Sequence, residues 1–134
     1  MTKRPRILLA KVGCDIHERG ALTMMSVFRD AGMEVIYTGR YQSEEGVARA
    51  AVAEDAHLIA VSDLTGGLVI ICRKILAELG RLEVDIPLIC GGLLTPSDRQ
   101  ALLDMGVKAC FGTGSDIQDC LDTVCRLLDY QPER

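Results

Sequence analysis

Five short runs of aliphatic and β-branched residues alternate with five stretches whose apolar residues recur at helical spacing, and glycines or helix-capping residues stand between them. This alternation predicts an α/β fold with a doubly wound, five-stranded parallel sheet of flavodoxin-like (Rossmann-like) layout, covered by helices on both faces. At 134 residues the length is that of one domain, so residues 1–134 are expected to form a single unit.

Each element has its own signal. Ile7 to Val12 predicts a buried first strand ended by Gly13, and Ala21 to Ala31 a helix that stops at Gly32. Glu34 to Thr38 is the second strand; Ser43, followed by Glu44 and Glu45, caps a helix running towards Asp55. His57 to Val61 is the third strand. After it, the Thr65-Gly66-Gly67 turn leads into a helix carrying Leu68, Ile71, Ile75 and Leu79 on one face and closed by Gly80. Ile86 to Cys90 is the fourth strand, broken by Gly91-Gly92, and Pro96 with Ser97 and Asp98 opens a helix that ends before Gly106. Val107 to Phe111 and Asp116 to Leu128 make the fifth pair.

Composition excludes several functions. A formal charge of −4, with no run of Lys or Arg longer than Lys3-Arg4, provides no footprint for a polyanion, so nucleic acid is not expected as a partner. No apolar stretch reaches the roughly 20 residues of a bilayer span, and residues 1–6 do not open a signal peptide; the expectation is a cytoplasmic protein with no membrane contact. The six cysteines form no C-x-x-C pair, and all but Cys14 sit within apolar segments, which predicts reduced and mostly buried thiols.

In a doubly wound sheet, ligands bind beyond the carboxyl ends of the strands near the point where strand order reverses. The unusual residues collect there: Gly13 to Gly20, Ser62-Asp63-Leu64, Gly91-Gly92 and Gly112-Thr113-Gly114. The loop after the first strand reads Asp15-Ile16-His17-Glu18-Arg19-Gly20, a D-x-H-x-x-G pattern expected by chance in about 1% of chains this long. A neutral imidazole is a good transition-metal ligand when its second nitrogen has an acceptor, and Asp15 lies two residues from His17, on the same side of an extended segment. Gly20 would let the backbone approach something bulky. From these residues alone, His17 is either a metal ligand or a solvated loop histidine bonded to Asp15. A zinc site built on Cys14, Asp15 and His17 lacks a second cluster to complete four ligands, and His57 at the start of a strand is expected to be a partly exposed edge residue.

Several separated stretches agree, in order and spacing, with one family: Arg4-Pro5-Arg6-Ile7-Leu8-Leu9-Ala10-Lys11, the D-x-H-x-x-G loop, Val61-Ser62 with Leu64, Cys90-Gly91-Gly92, and Gly106-Val107 with Phe111-Gly112-Thr113-Gly114. Over nearly its whole length the sequence resembles the cobalamin-binding domain of methylmalonyl-CoA mutase and its relatives, including the small subunit of 2-hydroxyisobutyryl-CoA mutase. The resemblance implies that the nucleotide tail of adenosylcobalamin leaves cobalt and threads into the domain, while His17 becomes the lower axial ligand. Asp15 and Lys11 would continue the ligand relay. Ser62, Leu64, Gly91 and Gly92 would line the tail pocket, with Gly20, Gly112 and Thr113 as further cofactor-binding positions. No other catalytic residue is expected in this chain. The acyl-CoA ester would bind a large barrel subunit, since a (β/α)8 barrel takes roughly 250 residues; a G-protein chaperone for cofactor loading stays open as a second partner. Two positions depart from the family pattern: Asp63 stands where relatives usually place an uncharged residue, and Ile16 where acyl-CoA mutases often have Gly.

Three rivals share the topology. Corrinoid methyl-carrier proteins share D-x-H-x-x-G but usually have a helical cap before the first strand, whereas six residues precede Ile7 here. A phospho-receiver domain would use Asp63 after the third strand, yet Lys11-Val12 and Phe111-Gly112 replace the acidic pair and the Lys that it also needs. A flavin protein would be yellow rather than red.

Overall fold

The computed structural model describes residues 4–12, 19–39 and 43–132. Its elements alternate as expected: β1 (Arg6–Lys11), α1 (Arg19–Asp30), β2 (Glu34–Tyr37), α2 (Glu44–Ala53), β3 (Leu58–Asp63), α3 (Leu68–Arg81), β4 (Leu88–Gly92), α4 (Pro96–Met105), β5 (Ala109–Gly112) and α5 (Ile117–Leu127). The strands form one sheet in the order β2-β1-β3-β4-β5, and all four pairings are parallel. This is the flavodoxin-like order, with its reversal between β1 and β3.

Side chains on a strand alternate between faces, and the core divides accordingly. Ile7, Leu9, Leu58, Ala60 and Ile89 pack with Ala21 and Phe28 of α1 and with Cys120 and Val124 of α5. Leu8, Ala10, Ile59, Val61, Leu88 and Cys90 pack on the opposite face, against residues of α2, α3 and α4.

Local chemistry sets the helix ends. Ser43 and Thr95 accept hydrogen bonds from Gly46 N and Asp98 N, and Asp98 closes a capping box at the start of α4. Gly106 ends that helix at φ 111°, a left-handed conformation suited to glycine. Gly80, expected to stop α3, lies inside it; the helix continues through Arg81. The ladder passes through this exposed glycine, with Leu82 N donating to Glu78 O at 2.9 Å, and the Glu78 side chain engages Arg81 just beyond it.

That side chain joins two helices. The buried Glu78 carboxylate accepts from Arg81 Nε at 2.8 Å and Nη2 at 2.6 Å, and from Arg49 Nε of α2 at 3.1 Å. These hydrogen bonds, with Arg81 foremost, hold its carboxyl down to about 2. A depressed carboxylate contributes stability above its unfolded-state range and loses it as pH falls through the folded value. Glu78→Gln is therefore expected to lower the urea midpoint at neutral pH, and the gap from wild type to close between the usual carboxylate range and pH about 2; equal midpoints at pH 7 would contradict this.

At the lower end of the α1–α5 face, the Tyr130 hydroxyl donates to Ala31 O at 2.8 Å, which ties the chain after α5 to the end of α1.

Candidate functional site

The alternation along β3 decides what its carboxyl end presents. Leu58 and Ala60 face α1 and α5, so Ser62 continues that row, while Asp63 follows Ile59 and Val61 on the other face. Strand β3 starts one residue later than its apolar run suggested and continues two residues further, because Ser62 and Asp63 pair with their neighbours: Ser62 with Lys11 and Gly91, Asp63 with Gly92. Strand β4 likewise runs through Gly91 and Gly92 rather than breaking before them; each has a ladder partner on both sides.

A cleft of about 370 Å3 opens at these carboxyl ends, between α1 and α5. Gly20, Ser62, Leu64, Gly91, Gly92, Gly112 and Thr113 all line it, so the structure brings seven of the positions singled out in the sequence to one place. Lys11 does not line it; it ends β1 and is fully buried. Asp15 and His17, together with Cys14 and Ile16, lie outside the described residues.

The glycines of the cleft serve different ends. A Cβ on Gly91 would stand 3.2 Å from Phe111 O, and one on Gly92 would run into the backbone carbonyl of Asp63, with Gly92 already at φ 136°. Gly92 is required by the chain's own packing, and at Gly91 the Phe111 carbonyl would have to give by a few tenths of an ångström. Among the described residues, nothing lies within 4 Å of such a Cβ at Gly20, and only Arg99 Nη2, at 3.9 Å, at Gly112. These two leave open space. Arg99 also donates from Nη1 to Cys110 O at 2.6 Å, bracing the end of β5 from α4.

Asp63 is 1% exposed but not isolated: its carboxylate accepts from Thr65 Oγ1 at 2.8 Å, Gly67 N at 2.9 Å and Thr65 N at 3.3 Å. It closes the turn into α3, whose N-cap Gly67 has no side chain to do so. The desolvation of this carboxylate is offset by those donors, and it lines no part of the cleft. A phospho-receiver use of Asp63 finds no support in this arrangement. His57 is structural as well. Its Nδ1 accepts from Arg6 N at 2.9 Å, linking β3 to β1 at their amino ends.

Sequence reasoning missed the helical walls. Ala21, Met24 and Phe28 of α1 and Ile117 and Cys120 of α5 line the cleft at three- to four-residue spacing, the same signal that marks a core face. The thiols here are inert. Burial pushes Cys120 up to about 11. A hydrogen bond shared with Cys72 and then burial raise Cys90, and burial first raises Cys110 to about 12. Neutral at physiological pH, they act as apolar surface. The cleft is thus built to bind, in the roughly 300–1,000 Å3 range of small-molecule sites.

The B12 binding domain family matches residues 5–121. The chain is 42% identical over 129 residues to the methylmalonyl-CoA mutase large subunit of Streptomyces virginiae, covering 94% of this chain and 17% of that protein. It is 35% identical over 132 residues to the mitochondrial methylmalonyl-CoA mutase of Homo sapiens, covering 90% and 18%. The chain thus spans less than a fifth of the length of these relatives. Among solved structures, a cobalamin-binding protein from Desulfitobacterium hafniense DCB-2 superposes with a TM-score of 0.74 at 20% identity, covering 90% of this chain and 60% of that one, which shows a common fold. With the family match extending from before β1 into α5, over a cleft where the sequence motifs meet, the chain belongs to the B12-binding domain family.

Proposed function

We propose that residues 1–134 act as one cobalamin-binding unit, the small subunit of an adenosylcobalamin-dependent acyl-CoA carbon-skeleton mutase of methylmalonyl-CoA or 2-hydroxyisobutyryl-CoA type. The observation that carries this reading is the identity to methylmalonyl-CoA mutases along almost the whole chain. His17 would ligate cobalt with the cofactor base-off, Asp15 would orient its ring, and Lys11, buried at the end of β1, would support Asp15. A large barrel subunit binds the acyl-CoA ester, and a G-protein chaperone is a candidate for loading the cofactor.

The described residues fit the cofactor's nucleotide tail. The cleft offers Phe28, Ala60 and Ile89 as apolar surface for a flat heterocycle, and the Ser62 and Thr113 hydroxyls for its polar groups. At Gly20 and Gly112 the described residues leave room for a ligand to approach the backbone. When bound, adenosylcobalamin supplies the radical chemistry; this chain binds it, orients it and keeps the tail out of water.

The test is the visible spectrum of the purified protein mixed with adenosylcobalamin. A base-off spectrum is expected for the wild type, and loss of histidine ligation for His17→Ala. A cofactor that stays base-on, or binds identically to both proteins, would sink the assignment.

A further inference from the structure

We propose that Asp63 is a positioning residue for the cofactor: from the far side of the sheet its carboxylate holds the turn after β3, and with it Leu64, in the shape that the nucleotide tail binds. The inference rests on the reading above that the tail occupies the cleft.

Residues 62–67 divide between the cleft and the turn. Ser62 and Leu64 line the cleft, whereas neither Asp63 nor Thr65 does among the described residues. Asp63 is buried; Thr65 and Gly66 are exposed, and Gly66 stands at φ 91°. A turn of Thr65, Gly66 and Gly67 has little of its own to hold one shape, since each glycine opens backbone conformations that other residues exclude. Gly67, the N-cap of α3, brings no side chain to the helix end either.

The Asp63 carboxylate supplies what the turn lacks. Its Oδ1 accepts from Thr65 Oγ1 at 2.8 Å, and its Oδ2 from Gly67 N at 2.9 Å and Thr65 N at 3.3 Å. Hydrogen bonds to a charged acceptor are stronger than neutral ones. Asp63 itself cannot follow the turn. Its backbone pairs with Gly92 in the ladder, and its carbonyl accepts from Leu93 N at 3.1 Å. Leu64 is therefore held from both sides, by a fixed strand end before it and a pinned residue after it. A half-buried leucine fixed in this way offers its apolar surface to the tail without first losing conformational freedom, which is how preorganisation raises affinity. A carboxylate on the α3 side of the sheet thus acts on a ligand bound on the other side.

The experiment measures binding of adenosylcobalamin, and of adenosylcobinamide, which has no nucleotide, to the full chain by ultrafiltration and absorbance of the free ligand. Thr65→Val removes the hydroxyl donor to Asp63 and leaves the bond from Gly67 N, so α3 keeps its start. It is expected to keep Tm within a few degrees of wild type and to bind cobalamin about 3- to 10-fold more weakly, the factor that one intramolecular hydrogen bond is worth, with cobinamide unchanged. Thr65→Ser retains the hydroxyl and is expected to bind both corrinoids as the wild type does. Asp63→Asn, which turns an acceptor into a donor facing N–H groups, is expected to lose at least as much cobalamin affinity as Thr65→Val. An unchanged ratio of the two affinities in folded Thr65→Val protein, an equal loss for both corrinoids, or a Thr65→Ser protein as weak as Thr65→Val would overturn the positioning role and leave the turn to serve the fold alone. Wild-type protein that binds both corrinoids equally would overturn the placement of the tail, and this inference with it.

Discussion

Gly92→Ala is expected to destabilise the protein by at least about 3 kcal/mol, which for a chain of this size lowers Tm by roughly 10 °C. Two costs combine at this position. The backbone sits at φ 136°, a conformation that residues with a Cβ rarely adopt, and the added methyl would enter the carbonyl of Asp63. Strained dihedrals cost on the order of 1–3 kcal/mol and overpacking a similar amount. Relief is difficult, because Asp63 is fixed by its ladder to Gly92 and by the three donors of the turn into α3. Thermal unfolding followed by circular dichroism measures the effect. Gly20→Ala, where no described residue lies within 4 Å, serves as the control and is expected to leave Tm within a few degrees of wild type. A Gly92→Ala variant as stable as Gly20→Ala would show that the ends of β3 and β4 can part without cost.

Cys120→Trp is expected to weaken cobalamin binding at least about 100-fold, near 2.7 kcal/mol, while the fold survives. Cys120 is buried on the inner face of α5, and the space in front of it is the cleft. An indole placed there takes up part of the roughly 370 Å3 that the tail would occupy. Because that space is already open, the larger side chain avoids the overpacking that a closed core would impose. Ultrafiltration with cobalamin measures the loss, and circular dichroism the retained fold. Full affinity in a folded Cys120→Trp protein would place the nucleotide tail elsewhere.

The order and type of every element were legible because hydrophobic period is a local property. Ile7 to Val12 announces a doubly buried strand, and Leu68, Ile71, Ile75 and Leu79 one face of a helix, without knowledge of what they pack against. Errors arose where a distant partner decides. Gly91-Gly92 looks like a break until Ser62, Asp63, Phe111 and Gly112 are seen to hold it in the ladder. Gly80 looks like a stop until Glu78 is found anchored by arginines from two helices. The same logic divides the site. Ser62, Leu64 and Thr113 are conspicuous at strand ends, whereas Met24, Phe28 and Cys120 look like any core face; only the gap between α1 and α5 turns them into lining. The glycines teach the reverse lesson, since Gly92 is fully accounted for by the neighbouring Asp63 backbone and Gly91 stands close to the Phe111 carbonyl.

One peptide bond separates Ser62, on the wall of the cleft, from Asp63, which closes the turn on the far side of the sheet. For an engineer these adjacent codons are independent controls. Position 62 can be varied to retune what the crevice accepts while the α3 entry stays intact, and position 63 can be held constant as an internal standard for folding across such a library.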